Sequence, residues 1–393
     1  MLVCGEPSGD ELGAELMSGL RALAGDRVKI VGVGGSAMKA QGLKSLFPLD
    51  ATAVMGLREV VPRIPEILRR VRIASDFARA TRPDALVCID SPDFTHRIAQ
   101  RLHRLNSGIA TVNYVAPQVW ASRQYRARKM ARYFDLVLAL LPFEAKFFEQ
   151  HGLRAEFVGH PVVERASKIV GGDTLRSRLA IPPAAPLLVV LPGSRANEVR
   201  ALLQIFRETV AVLAKSVTDL HCVLPAVAHV ATAVRSGTEN WPTSLHVVEG
   251  EADKFASFAA ADAALAASGT VTTELALAGV PMAVGYKLGW LTYRLVRPFV
   301  RVPYITLVNL LLGYEAVPEF IQDRCRPDLL AACLERLLLD TEYRSKQKED
   351  LYKAASLLGQ GGEVPSHRAA RALLDFIQSS RATAANQRLS SGR

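Results

Sequence analysis

Acidic and hydroxyl-bearing side chains gather where two strand-like runs of the sequence end. They are Glu6, Ser8 and Asp10, together with the small residue Gly9, after the first run, and Asp90 and Asp93 after the second. A carboxylate in such a place can accept a proton from an attacking hydroxyl group. Asp93 precedes a helical pattern and is predicted to cap it, which makes Asp90 the candidate base, with a structural turn aspartate as the alternative. The charge of Glu6 and Asp10 fits sugar hydroxyls better than pyrophosphate, although a well-capped tight turn explains the same residues.

Two later turns carry residue types that bind phosphate. They comprise Gly193, Ser194 and Arg195, and then Ser268, Gly269 and Thr270 with Glu274 one helical turn further on. Small residues let backbone N–H groups approach a ligand at a helix N-terminus, and arginine can bind two phosphate oxygens at once. Glu274 is a candidate for ribose hydroxyls. Each turn alone fits ordinary helix capping, but two in one half of the chain favour a nucleotide-sugar diphosphate.

The remaining chemistry-bearing residues give weaker signals. His160 could bind phosphate or orient a base, and a packed histidine at a domain junction is the alternative. The histidines lack metal-ligand spacing, so neither a metal nor a cofactor is predicted. The five cysteines form no C-x-x-C pair and are expected to be free thiols in a reducing compartment.

Alternating apolar runs and amphipathic patterns must position these groups. Strands are predicted at 1–4, 28–33, 85–89, 110–115, 135–140, 155–158, 187–191, 220–224, 245–248, 263–266 and 281–285, with helices between them, for example at 10–24, 64–80, 94–105, 143–150 and 198–214. Such β–α alternation predicts parallel, doubly wound sheets, which bind ligands beyond the carboxyl ends of their strands. We therefore expect an α/β chain of two Rossmann-like domains whose sheets face each other across a cleft.

A polar, proline-rich segment at 167–186 separates the two halves of the pattern. It predicts an N-terminal acceptor-binding, membrane-facing domain over 1–165 and a nucleotide-sugar-binding domain over 166–350. Residues 351–380 are predicted to form C-terminal helices that pack back on the N-terminal domain, and 381–393 a disordered tail.

The net charge of +10 is concentrated in stretches that mix arginine with apolar residues. Residues 57–72 and 286–301 are predicted to bind an anionic membrane surface, and a core-facing helix with a solvated basic face is the alternative. Residues 126–132 form a third basic cluster. No nucleic-acid-binding module accompanies them. Neither a signal peptide nor an apolar span of about 20 residues is predicted.

Several short segments, taken in order, resemble the lipid-A-disaccharide synthase family, inverting glycosyltransferases of the GT-B fold. They are Gly5–Asp10, Ala53–Leu57, Ile89–Phe94, Pro117–Ala121, Leu140–Glu144, Gly159–Pro161, Leu191–Arg195, Ala267–Thr270 with Glu274, and Val317–Phe320. The resemblance implies a UDP-2,3-diacylglucosamine donor and a 2,3-diacylglucosamine 1-phosphate acceptor. The products would be the β(1→6)-linked disaccharide 1-phosphate and UDP. It further implies an enzyme peripheral on the cytoplasmic membrane's inner face that needs no bound metal, and a homodimer is compatible with it.

The resemblance also assigns roles to individual residues. Asp90 matches the family's proposed base for the acceptor 6-hydroxyl, Arg195 matches a ligand of the UDP phosphates, and Glu6 matches a required residue of the first turn. Asn309 and Gln322 match residues near the donor.

The sequence departs from the family at three positions, which leaves acyl preference open. They are Ser122, Val308 and Tyr314, where Trp, Pro and Arg are common. Two other hypotheses fit parts of the sequence: a UDP-N-acetylglucosamine 2-epimerase of the same fold, and a non-enzymatic basic protein that binds membrane or nucleic acid. The apolar, basic stretches argue against the epimerase, because a water-soluble substrate needs no membrane surface.

Overall fold

The computed structural model describes residues 1–49, 64–120, 124–289, 293–294 and 302–391, with side chains to residue 382. The chain divides into two compact units, Met1–Pro161 with Gly362–Arg393, and Val162–Gly361. Each unit is a parallel β-sheet covered by helices, with its own hydrophobic core. The five cysteines are buried free thiols within these units.

Six parallel strands form the sheet of the first unit. They are β1 (Leu2–Cys4), β2 (Gly32–Val33), β3 (Ala85–Ile89), β4 (Ala110–Tyr114), β5 (Leu136–Ala139) and β6 (Ala155–Phe157). Their spatial order is β2-β1-β3-β4-β5-β6, so the chain reverses its direction across the sheet between β1 and β3. In doubly wound sheets the crevice at this switch point is where ligands bind.

The helices of the first unit follow its strands closely. They are α1 (Pro7–Ala24), α2 (Ser36–Ala40), α3 (Ile64–Thr81), α4 (Pro92–Arg104), α5 (Tyr125–Met130) and α6 (Pro142–Glu149). A proline occupies the first turn of α1, α4 and α6. Its fixed φ suits a helix start, and the N–H that it lacks would have had no partner inside the helix. These prolines therefore begin helices immediately after strands.

The second unit contains another sheet of six parallel strands. They are β7 (Leu187–Leu191), β8 (His221–Ala226), β9 (Ser244–Glu249), β10 (Ala263–Ala267), β11 (Met282–Tyr286) and β12 (Glu319–Ile321). The order β12-β11-β10-β7-β8-β9 places the switch point between β7 and β10. The predicted α/β class with two parallel, Rossmann-like sheets is confirmed. The sequence did not predict β12, a short edge strand that follows Pro318.

Eight helices of the second unit are described. They are α7 (Gly172–Arg178), α8 (Ala196–Leu213), α9 (Ala228–Gly237), α10 (Glu251–Ala260), α11 (Thr270–Leu277), α12 (Leu307–Leu312), α13 (Pro327–Leu339) and α14 (Thr341–Leu357). The predicted boundary at 350 falls inside α14, whose Leu351 and Ala354 are buried in the second unit's core. The unit therefore extends to Gly361.

The last helix, α15 (Pro365–Ser391), belongs to the first unit. Its Ala369, Leu373 and Phe376 are buried in the core of that unit. The Arg368 guanidinium donates a hydrogen bond to the carbonyl oxygen of Phe157 at 2.9 Å. The helix continues to Ser391, where the sequence predicted disorder after 380. Alanine, glutamine, arginine and leucine are good helix formers, so the polar tail extends the packed helix.

Candidate active site

Asp90 lies where β3 ends, beside the switch point of the first sheet. Asp90 and Ser91 both have positive φ angles, 52° and 47°. Residues other than glycine rarely adopt this conformation, and its energetic cost is typical of functional sites. The surroundings hold it in place: the Asp90 N–H donates to the Tyr114 carbonyl at 3.1 Å, and the Thr95 hydroxyl donates to the Asp90 carbonyl at 2.7 Å.

The Asp90 carboxylate is aimed by two short hydrogen bonds. The Ser8 hydroxyl donates to Oδ2 at 2.9 Å, and the Ser91 N–H donates to Oδ1 at 2.7 Å. A carboxylate has about four acceptor positions, so each oxygen keeps capacity for another donor. The side chain is half-buried. Asp90 can therefore accept a hydrogen bond, and then a proton, from a bound hydroxyl.

Glu6 brings a second carboxylate to this edge of the sheet. It is the N-cap residue of α1, directly after β1. Burial raises the pKa of Glu6 above its usual value, and the negative charge of Asp90 raises it further. The two carboxylates that the sequence singled out are thus close enough to repel each other.

Asp10 directs its carboxylate at backbone N–H groups and not at a ligand, whereas the sequence predicts that it binds sugar hydroxyls. Its buried carboxylate accepts hydrogen bonds from the backbone N–H groups of Gly35 at 2.6 Å, Ala37 at 2.8 Å and Met38 at 3.1 Å. Asp10 therefore caps the N-terminus of α2 although it lies about 25 residues earlier in the chain, and the sequence alone gives no signal for such a contact. Gly9 is also structural: a Cβ there would lie 3.1 Å from the Ile89 carbonyl oxygen, so the glycine lets α1 approach β3.

In the second unit, the turn after β7 directs its backbone N–H groups towards a carboxylate. Ser194 and Arg195 donate from their N–H groups to Oε2 of Glu198 at 3.2 and 3.3 Å, and Arg195 Nη1 donates to Oε1 at 2.8 Å. Gly193 has a φ of 116°, and a Cβ there would lie 2.6 Å from Glu198. The Arg195 side chain is 72% exposed. This turn is therefore an anion site, and Glu198 supplies the anion.

The turn after β10 lies at the same edge of the second sheet, beside the turn after β7. Gly269 and Thr270 are exposed, whereas the Ser268 hydroxyl donates to the Ile305 carbonyl at 3.1 Å. A Cβ on Gly269 would meet nothing within 4 Å. The exposed backbone at the start of α11 is thus open to a ligand.

Glu274 is buried and paired with two cations. Lys254 Nζ lies 3.0 Å from both carboxylate oxygens, and Arg165 Nη1 lies 3.1 Å from Oε1. The sequence predicted that Glu274 takes ribose hydroxyls, and such hydroxyls would have to share its oxygens with these cations. Neither Lys254 nor Arg165 was singled out in the sequence, because their partner is distant along the chain.

Asn309 and Gln322 organise backbone in the second unit. Asn309 is fully buried: its Nδ2 donates to the Val317 carbonyl and to Glu319 Oε1, and its Oδ1 accepts from the N–H groups of Ala316 and Val317. These bonds use every donor and acceptor position of the amide. Gln322 accepts from the Leu288 N–H at 2.7 Å and donates to the Leu288 carbonyl at 3.2 Å.

Glu319 links β12 to the segment that precedes α12. Its buried carboxylate accepts hydrogen bonds from the N–H groups of Ile305 and Thr306, from the Thr306 hydroxyl and from Asn309. The residue lies in one of the family-like segments, but only its position in space shows what it holds. It fixes the segment whose Ile305 carbonyl accepts from Ser268.

The structure describes the remaining predicted site residues only in part. His160 follows β6 and is half-buried at the carboxyl edge of the first sheet. Residues 57–63, Ser122 and most of 286–301 lie outside the described part of the chain, so the structure does not place those predicted sites. In the described ranges no group of three or more His, Cys, Asp or Glu side chains could hold a metal ion. No described helix combines the length and apolar character that crossing a membrane requires.

Comparison with known proteins assigns the chain to a family. A family model described as lipid-A-disaccharide synthetase matches residues 1–373. The lipid-A-disaccharide synthase of Rhodospirillum centenum is 46% identical over 376 residues, which cover 96% of this chain and 94% of that protein. The synthase of Paramagnetospirillum magneticum is 45% identical over 379 residues, covering 96% of this chain and 97% of that protein.

Solved structures are similar in fold at low sequence identity. The UDP-GlcNAc 2-epimerase from Neisseria meningitidis bound to UDP-GlcNAc gives a TM-score of 0.60 at 11% identity and covers 96% of this chain and 98% of its own. MurG from Acinetobacter baumannii gives a TM-score of 0.56 at 15% identity, with 96% and 99% covered. These likenesses show the shared fold alone, so it is the family match that separates this chain from the epimerases. The chain belongs to the lipid-A-disaccharide synthase family, and it is a GT-B glycosyltransferase that uses a UDP-sugar donor to form the lipid A disaccharide.

Proposed function

We propose that Asp90 is the general base that activates the acceptor 6-hydroxyl in the reaction of UDP-2,3-diacylglucosamine with 2,3-diacylglucosamine 1-phosphate. The observation that carries this proposal is the strained backbone of Asp90, at φ 52°, at the switch point of the first sheet. Ser8 and the Ser91 N–H aim its carboxylate and leave acceptor capacity on both oxygens.

The reaction follows from that geometry. The proton of the acceptor hydroxyl moves to Asp90 as its oxygen attacks C1 of the donor sugar, and the bond from C1 to the UDP oxygen breaks. Attack opposite the leaving group inverts C1. Glu6, close to Asp90, accepts a hydrogen bond from an acceptor hydroxyl. The negative charge that develops on UDP requires fixed donors and cations.

The second unit supplies those donors in this proposal. Arg195 contacts the UDP phosphates through its exposed guanidinium, and the backbone of Gly193 and Ser194 contacts them where phosphate replaces the Glu198 carboxylate. The turn at 268–270 binds the diphosphate and Glu274 the ribose. Both turns flank the switch point between β7 and β10, where a doubly wound sheet binds ligands. His160 contributes a phosphate contact or orients the base.

Asn309 and Gln322 act near the donor by positioning backbone. The Asn309 amide is fully used by hydrogen bonds within the second unit, whereas the Gln322 amide bonds the N–H and carbonyl of Leu288 and keeps one donor and one acceptor position. In this proposal both hold the segments around the donor in place, and only Gln322 can also contact the donor with its side chain.

The enzyme would bind the inner face of the cytoplasmic membrane as a peripheral protein. Ile64 and Leu68 on α3 are 43% and 48% exposed, beside the exposed Arg69 and Arg72. Apolar side chains flanked by cations suit an anionic lipid surface. Arg70 does not belong to this surface: it is buried, donates to Glu66 at 2.7 Å and stacks over Phe47.

Vesicle sedimentation tests the membrane proposal. Replacing Ile64 and Leu68 by serine should reduce binding to vesicles that contain anionic phospholipid. The matched control is Leu105→Ser, which removes an equally apolar side chain, 40% exposed, from the residue that follows α4. Equal binding by both variants would contradict a membrane role for α3.

The homodimer stays a prediction that light scattering would test.

A product assay tests the reaction itself. Purified enzyme is incubated with both acylated sugars in detergent micelles, and mass spectrometry should detect the disaccharide 1-phosphate and UDP in equal amounts. A parallel incubation with UDP-N-acetylglucosamine alone should leave that sugar unchanged. Epimerisation without a lipid acceptor, or no disaccharide from the full mixture, would refute the proposal.

A further inference from the structure

A cavity of about 280 Å³ opens between α4 and α5 in the first unit. Three cations line it, Arg97, Arg126 and Lys129, against one carboxylate, Asp93. Arg126 and Lys129 make no ion pair or hydrogen bond with any other side chain that the structure describes. Cations gathered without partners in a concave site favour an anionic ligand.

The histidine in the wall of the cavity adds no charge to these groups. Buried His96 lines it, with its Nδ1 atom 3.3 Å from the Tyr133 hydroxyl. Burial and, to a lesser extent, the positive charge of Arg126 lower the pKa of His96 to about 3. The histidine therefore stays uncharged at neutral pH. Arg97 is steadied by a hydrogen bond from its Nε atom to the Asp93 carbonyl at 2.7 Å.

The cavity is close to the proposed base. Its lining includes Pro92, two residues after Asp90. Consecutive Cα atoms are about 3.8 Å apart, so the Cα atoms of Asp90 and Pro92 are separated by at most about 7.6 Å. In the acceptor, the phosphate on C1 and the carbon that carries the reacting 6-hydroxyl are attached to the two ring carbons that flank the ring oxygen of one pyranose. A base and a phosphate pocket for that molecule must therefore be separated by about the width of a sugar.

A second basic cavity, of about 230 Å³, continues along α4 towards α3. It shares Arg97 with the first cavity, and Arg72, Arg101 and Arg104 also line it, together with the exposed apolar Leu68. Cations thus extend from the start of α4, beside Asp90, to the surface proposed to meet lipid. A substrate with acyl chains in the membrane and a phosphate on its sugar matches this order of apolar and basic groups.

We propose that Arg126 and Lys129, with Arg97, bind the 1-phosphate of the acceptor and thereby place its 6-hydroxyl at Asp90. This inference rests on the proposed function and assigns the acceptor's phosphate to a site in the same unit as the base. Arginine contributes a bidentate contact to phosphate oxygens, and lysine contributes a compact charge. Recognition of the phosphate monoester explains why an enzyme of two acylated glucosamines distinguishes acceptor from donor.

The test compares acceptors with and without the phosphate. Arg126→Gln and Lys129→Gln are assayed in detergent micelles with 2,3-diacylglucosamine 1-phosphate and with the dephosphorylated sugar. Each substitution should raise the KM for the phosphorylated acceptor about tenfold, the loss expected for one charge-assisted contact. The kcat/KM for the dephosphorylated acceptor and the KM for the donor should not change. Arg128→Gln, an exposed residue of α5 outside the cavity, is the matched control and should behave as wild type.

The possible outcomes separate the two proposals. Wild-type enzyme that makes no disaccharide from either acceptor refutes the proposed function. Wild-type turnover that does not depend on the phosphate, or variants that lose both acceptors equally, refutes the phosphate site alone. Variants that lose binding to anionic vesicles but keep their preference for the phosphorylated acceptor would show that the cavity binds phospholipid headgroups, and would overturn the inference.

Discussion

Replacing Asp90 by asparagine removes the proposed base with little change to its surroundings. Asparagine tolerates positive φ better than most residues, so the angle of 52° remains accessible. Its carbonyl oxygen can accept from the Ser91 N–H, and its amide can donate to the Ser8 hydroxyl, which replaces the bond that Ser8 now donates. We therefore expect the free energy of unfolding to change by less than about 1 kcal/mol.

The expected loss of activity is much larger. General base catalysis contributes about 10²–10⁴-fold to a rate, equivalent to about 3–5 kcal/mol of transition-state stabilisation. An amide cannot take the proton, so kcat should fall by that factor. Donor affinity should persist, because Arg195 and the two turns proposed to bind the UDP diphosphate, at 193–195 and 268–270, lie in the second unit and Asp90 in the first.

Three measurements check this prediction: kcat with both acylated sugars, UDP affinity by calorimetry, and the melting temperature. Asp90→Ala is the companion variant. It loses both hydrogen bonds and places alanine at positive φ, so it should also be destabilised, by about 1–2 kcal/mol. If Asp90→Asn keeps more than about a tenth of wild-type turnover, or loses UDP affinity in proportion to kcat, Asp90 is structural and the argument from its strained backbone fails.

Three further changes probe the other predicted residues. Arg195→Ala should raise the Kd for UDP about tenfold or more. The melting temperature should not fall, because the ion pair of Arg195 with Glu198 is exposed. Arg200→Ala on α8 is the control, and equal UDP affinities of the two variants would exclude a phosphate contact by Arg195. Glu6→Gln should raise the melting temperature at pH 8 but not at pH 4. The pKa of Glu6 is higher in the folded than in the unfolded state, so its ionised form lowers the stability of the fold only when the pH rises above these pKa values. A change in melting temperature that does not depend on pH would contradict this. Asn309→Ala removes four hydrogen bonds, leaves the buried N–H and carbonyl groups of Val317 without their partner, and should lower the free energy of unfolding by on the order of 3 kcal/mol in urea. Weaker UDP binding at unchanged stability would instead indicate a direct ligand contact.

The sequence predicted the fold well because both sheets are parallel and buried. Continuous apolar runs followed by amphipathic helices identify such strands without knowledge of their partners. The runs at 85–89 and 187–191 match β3 and β7 to the residue. By contrast, β12 is three residues long at a sheet edge, and it has too few residues to show a period. Only Gly32–Val33 of the predicted strand at 28–33 pairs with β1.

Side-chain partners were the harder part of the site to predict. The positions of Asp90 and Arg195 follow from the ends of strands, which local pattern shows. The burial of Glu274 between Lys254 and Arg165 depends on residues 20 and 109 positions away, and spacing along the chain contains no signal for such pairs. The same holds for Asp10, whose acceptor role needs the folded position of α2.

The discontinuous first unit imposes an order on biosynthesis. Its strands and first six helices emerge from the ribosome well before α15, and the second unit, roughly 200 residues, is translated between them. At about 5–20 residues per second, that interval lasts roughly 10–40 s. Until α15 arrives, the nascent sheet lacks a helix that buries Leu373 and Phe376 against it. The second unit is therefore translated in full before the first unit gains the helix that completes its core.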